Sequence, residues 1–122
     1  MARNASPGPT YEQRRARRLR VAMPVHLYGR LDREPFSEHV ETINVSLTGG
    51  LIPISAQVVH SQKLILTNLQ TNEELACRVA RIIRTEEGAT YAGIEFLQPS
   101  PRFWGLDFAG KTVRTPAGVP LG

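Results

Sequence analysis

The sequence predicts an all-β protein: a small six-stranded antiparallel β-barrel with a flexible basic N-terminal arm and an irregular or short-helical C-terminal segment. Three observations carry this. Apolar residues alternate with polar ones over short stretches, the period of half-buried strands. Turn-forming clusters separate those stretches at close intervals, which in a short chain points to a closed or nearly closed barrel. No amphipathic pattern sustains three turns of helix, and no internal repeat is present. At 122 residues there is material for one modest core, not two.

Taken in order, residues 1–10 hold Asn, Ser, Gly and two prolines with almost nothing apolar, the composition of a disordered terminus. Residues 11–97 make the barrel domain, entered through an arginine-rich arm that has no apolar face to bury. Val21, Met23, Val25 and Leu27 alternate with Ala22, Pro24, His26 and Tyr28 as a first strand, and Pro24 within it predicts an edge position or a bulge. Gly29 to Pro35 reads as a turn and Phe36 to Asn44 as a second strand. Gly49-Gly50 reopens the chain into Leu51-Ile52-Pro53-Ile54, a short third strand, and Lys63 to Leu69 gives a fourth. After the turn cluster Asn68 to Glu74, Leu75, Cys77 and Val79 share one face of a long fifth strand, with Ala76, Arg78 and Ala80 on the other. The period slips at Arg81-Ile82-Ile83, the mark of a bulge or a change of exposure. Glu86-Glu87-Gly88 then turns the chain into a sixth strand, Thr90 to Leu97.

Residues 98–122 form a C-terminal extension punctuated by Pro99, Pro101, Pro116 and Pro120. Its aromatic patch, Phe103-Trp104-Gly105-Leu106-Asp107-Phe108, is expected to cap an open end of the barrel. An interaction surface is the alternative.

The net charge of +4 hides an asymmetry. Residues 1–20 carry six arginines against Glu12, a net of +5, while the remainder holds nine Lys/Arg against ten Asp/Glu, a net of −1. The positive field therefore sits on the arm. Its basic residues are all arginine, which favours forked, planar recognition of acceptor pairs over generic charge. A solvated basic tail is the plainer alternative.

Two motifs stand out. Asn44-x-Ser46-x-x-Gly49 lies where one strand stops and another begins. Asn and Ser there are turn formers, because their side chains bond nearby backbone amides. Gly49 and Gly50 supply either a positive φ or a close backbone approach. The same groups become ligand donors only if they point outward. Arg14 and Arg18, with three residues between them, can address two points on one ligand whether the arm is extended or helical. Arginine forks match guanine O6/N7 and phosphate oxygens alike.

Together the motifs resemble those of the PilZ family, bacterial receptors for cyclic di-GMP. Arg14 and Arg18 match the family's RxxxR, and Asn44, Ser46 and Gly49 match its [D/N]xSxxG. Arg18 to Val25 looks like the family's first strand and Gly93-Ile94-Glu95-Phe96-Leu97 like its last. The resemblance implies a six-stranded barrel whose arm closes over the dinucleotide against the Asn44–Gly50 turn. The implied contacts are Arg14, Arg15, Arg18, Asn44, Ser46, Gly49 and Gly50. It further implies a ligand, cyclic di-GMP, with no other cofactor, and an unidentified downstream protein partner. The family often adds a long C-terminal helix, for which the prolines after Leu97 leave little room.

Other classes fit less well. His26, His39 and His60 are scattered without metal-ligand spacing, and no Gly-x-Ser-x-Gly is present, so neither a metal site nor catalysis is expected. Cys77, the single cysteine, lies among apolar neighbours as an inert thiol. A nucleic-acid-binding barrel would need a basic, aromatic body, which this is not, so no nucleic-acid polymer is expected. A ligand-free interaction module of the same fold is the remaining alternative. No apolar run approaches the ~18 residues of a membrane span, and the polar N-terminus has no signal-peptide core, so a cytoplasmic protein is expected.

Overall fold

The structure, a computed structural model, describes residues 17–106 and 108. The tract expected to be disordered, residues 1–10, lies outside the described residues, as do Arg14 and Arg15. Eight strands follow in order: β1 (Arg18–Leu19), β2 (Pro24–Leu31), β3 (Glu34–Glu41), β4 (Asn44–Ser46), β5 (Gly49–Pro53), β6 (Lys63–Asn68), β7 (Glu73–Arg84) and β8 (Thr90–Phe96). They form one antiparallel sheet in the order β1-β4-β5-β8-β7-β6-β2-β3. The sheet curls until β3 touches β5. At that seam the Glu38 carboxylate of β3 accepts hydrogen bonds from the Ser55 and Ala56 amides just beyond β5, the latter at 2.7 Å.

The all-β architecture is the expected one, but eight strands replace six, for two local reasons. The arm adds a two-residue strand, β1. The expected second strand is divided into β3 and β4 at Thr42-Ile43. Thr42 is buried, and its hydroxyl accepts from the Met23 amide at 2.9 Å while donating to the Val21 carbonyl at 2.6 Å. That bracket turns the chain out of one ladder and into another.

Pro24 is at neither an edge nor a bulge. It opens β2, which is flanked by β3 and β6, and a strand's first residue is another place where a missing N–H is tolerated. The turn after β2 is also tighter than expected. Only Asp32 (φ 51°) and Arg33 (φ 73°) leave the strands, the two left-handed positions of a type I′ hairpin. Gly29 stays within β2, where a Cβ would come within 2.6 Å of Leu64 Cδ2.

The inward faces supply the core: Val25 and Leu27, Val45, Ile52, Leu64 and Leu66, Cys77 and Val79, Ala92, Ile94 and Phe96. The aromatic patch after β8 joins it. Phe103, Trp104 and Phe108 are buried, with Phe103 edge-on to Phe96 at 5.4 Å and to Trp104 at 5.0 Å between ring centroids. Two polar ties hold this segment. Buried Asn68 donates to the Phe103 carbonyl at 2.9 Å, and the Trp104 indole N–H donates to the Gly49 carbonyl at 3.1 Å. Asn68 also accepts the Gln70 amide, so its burial is offset by bonds on both ends of the carboxamide.

The expected slip in the fifth strand is a register shift between Val79 and Arg81 in the β7–β8 ladder. Cys77 is fully buried, and desolvation pushes its thiol up from 9.0 to about 12.

Two outcomes follow. Trp104→Phe should keep the aromatic packing but remove the side-chain hydrogen bond to the Gly49 carbonyl, lowering unfolding free energy by roughly 0.5–1.5 kcal/mol in a denaturant titration. Cys77 holds its proton in the folded state when the unfolded chain has begun to lose it. Its contribution is therefore fully present below pH 9.0 and declines as pH rises toward about 12. Over that window wild-type stability should fall by as much as ~1.4 kcal/mol per pH unit relative to Cys77→Ala. Parallel pH profiles of the two proteins would overturn this.

Candidate functional site

The described arginine of the Arg14/Arg18 pair is fixed by backbone pairing. β1 lies antiparallel to β4, with Arg18 opposite Ser46 and Leu19 opposite Val45. Leu19 packs on the core, so Arg18, its neighbour in an alternating strand, faces outward. There its guanidinium Nη1 donates to Asn44 Oδ1 at 3.2 Å. Asn44 and Ser46, two residues apart on β4, share that outward side. The two motifs, 26 residues apart in sequence, thus meet side by side.

Each motif residue has a structural task as well. Ser46 Oγ accepts the Thr48 amide at 3.3 Å and closes the turn out of β4, and the residue is only 2% exposed. Asn44 uses its carbonyl oxygen on Arg18, while its amide N–H donors find no acceptor among the described residues. Gly49 and Gly50 do not need positive φ; what they need is proximity. A Cβ on Gly49 would sit 1.9 Å from the Ile94 carbonyl oxygen, and one on Gly50 would sit 2.9 Å from the Asn44 carbonyl oxygen. Gly49 belongs to the outward row with Arg18 and Ser46, whereas Gly50 pairs with Val45 and turns its bare Cα toward Trp104.

That outward row continues across the sheet. Gly49 lies opposite Glu95 on β8, and Glu95 lies opposite Arg78 on β7. Arg78 and Glu95 form a short ion pair, each about a third exposed. This pair is invisible to motif reading, because only the register of β5, β8 and β7 brings it beside the Asn44–Gly50 turn. The arrangement has the chemistry of an anion and acceptor site: guanidinium, carboxamide and hydroxyl over tightly stacked backbone. Among the described residues no group of three or more His, Cys, Asp or Glu side chains could hold a metal ion, and no helix is long and apolar enough to cross a membrane.

Gly49→Ala tests the close approach. Because the obstructing atoms are backbone, β5 and β8 must separate, and a loss of about 2–4 kcal/mol in unfolding free energy is expected from chemical denaturation. A loss below ~1 kcal/mol would show that the two strands can move apart cheaply.

A family model, the PilZ domain, matches residues 12–104, which include both motifs and all eight strands. Among curated proteins none is significantly similar in sequence. Among solved structures, that of the Bacillus subtilis inhibitor of motility (MotI/DgrA) is similar, with a TM-score of 0.56 at 17% identity. The match covers 75% of this chain and 49% of that one, so this chain corresponds to about half of the other protein. At that identity the likeness speaks for the fold alone, whereas the family model spans most of the sequence: the chain belongs to the PilZ domain family.

Proposed function

We propose that this protein is a receptor for cyclic di-GMP that acts by binding, with no catalytic step. One observation carries the reading: the β1–β4 rung seats Arg18 directly on Asn44 and opposite Ser46. The arm's guanidinium and the polar turn therefore face the same volume. Arg18 has no carboxylate partner among the described residues, so its charge is available to a phosphate or to a guanine O6/N7 edge. Asn44 keeps two amide donors for acceptors on the ligand. Arg14 and Arg15 would complete the clamp from the preceding arm, and Gly49 and Gly50 would hold the turn's backbone at the right depth. The PilZ assignment supports the choice of ligand. A downstream protein partner would read the bound state.

A second reading has one observation in its favour. Ser46 is almost fully buried and its oxygen is already used within the turn, so the motif also serves as a purely structural corner. On that reading the chain is an interaction module without a ligand.

Calorimetry separates the two. Wild-type protein is expected to bind cyclic di-GMP with a micromolar or tighter Kd, about −8 kcal/mol or better, and a linear guanine dinucleotide more weakly. The Arg14→Ala/Arg18→Ala double variant removes two forked contacts of about 1–3 kcal/mol each and should lose most of that affinity. Absence of binding by the wild type would put the interaction module first. Equal binding by both proteins would keep a receptor but discard the arginine clamp.

A further inference from the structure

The bulge in β7 re-aims a charge. Before it, the strand alternates regularly: Cys77 and Val79 are buried and Arg78 faces outward. Continued alternation would put Arg81 on the same side as Val79, in the core. Ala80 is instead passed over, so Val79 pairs with Ile94 and Arg81 with Gly93, the next outward position of β8. Arg81 is accordingly exposed, three residues from Arg78 and on the same face.

What lies beside it is bare. Gly93 has no side chain, and a Cβ there would be 3.5 Å from Arg81 Cβ and 3.7 Å from its Nε, so the arginine stem lies along the β8 backbone. Arg78 is neutralised by Glu95, but Arg81 has neither an ion pair nor a side-chain hydrogen bond among the described residues. The same outward face thus carries Arg18 and Asn44 at one side and an unneutralised guanidinium at the other. Between them is a floor that includes the bare, half-buried Gly93. From β4, which carries Asn44, to β7 are three strand spacings, about 14 Å, and Arg18 on β1 lies one strand further out. That is a span for a ligand of several rings rather than for a single phosphate.

We propose that Arg81 is a ligand-binding residue, a second guanidinium that meets the dinucleotide from the side opposite Arg18, on a phosphate or on the acceptor edge of a base. The inference rests on the cyclic di-GMP reading above. It gives the bulge a purpose, because a regular strand would place Arg81 where it could not reach solvent.

The test is a set of calorimetric titrations with cyclic di-GMP at one ionic strength, using wild type, Arg81→Ala and Arg84→Ala. Arg84 is an exposed arginine at the end of the same strand, so its loss changes net charge equally. Arg81→Ala is expected to weaken binding about tenfold or more, and Arg84→Ala by less than about twofold. Thermal unfolding of each variant checks that the exposed substitutions leave the fold intact. Binding by Arg81→Ala equal to wild type would overturn the inference while leaving the receptor intact. Equal losses in the two variants would assign the effect to bulk charge and overturn it as well. No binding by the wild type would remove the receptor reading and this inference together.

Discussion

The closeness of β5 to β8 at Gly49 is the constraint on which the rest of the molecule depends. With the Ile94 carbonyl where a side chain would begin, the strand is seated as deep as a backbone can go. That depth lets the Trp104 indole reach the Gly49 carbonyl and brings Phe103 and Trp104 over the Phe96 end of the core. It also aligns Ser46, Gly49, Glu95 and Arg78 in one row across four strands. The glycine-bearing motif is therefore the mechanical centre of the barrel as well as the candidate site. Ser46 serves both ends at once, because closing the turn on the Thr48 amide is also what fixes its position opposite Arg18.

Much of the fold was legible because period-two alternation reports burial directly. Val25 and Leu27, Cys77 and Val79, and Ala92, Ile94 and Phe96 all lie inward as their spacing requires. The slip after Val79 was legible for the same reason, since a bulge breaks the period wherever it falls. Strand division at Thr42 was not. A single hydroxyl bridging Met23 and Val21 decides it, and nothing local marks which threonine will be so used. The I′ turn at Asp32-Arg33 was obscured by its chemistry, because Arg is an unusual occupant of a left-handed position and Gly29, the evident turn residue, is needed for close packing instead.

The candidate site was legible as two motifs and not as a surface. Sequence could place Arg18 and Asn44 in two motifs of one family, but their contact comes from the β1–β4 rung, an edge pairing only two residues long. Gly49 and Gly50 carried an ambiguity between positive φ and close approach, which distances to Ile94 and Asn44 decide in favour of the second. Arg78, Glu95 and Arg81 left no trace at motif level. Their positions depend on long-range register, and in one case on a one-residue offset in that register.

Trp104, the chain's single tryptophan, occupies an unusual post. It lies behind the Asn44–Gly50 turn, on the core side, with its N–H on the Gly49 carbonyl and its ring 3.4 Å from where a Gly50 Cβ would be. An indole's emission follows its hydrogen bonding and the polarity around it. The protein thus carries an intrinsic optical gauge fastened to the back of the turn. Any event on the outer face that lifts or tightens β5 is transmitted to that ring through one backbone carbonyl, and no other tryptophan dilutes the signal.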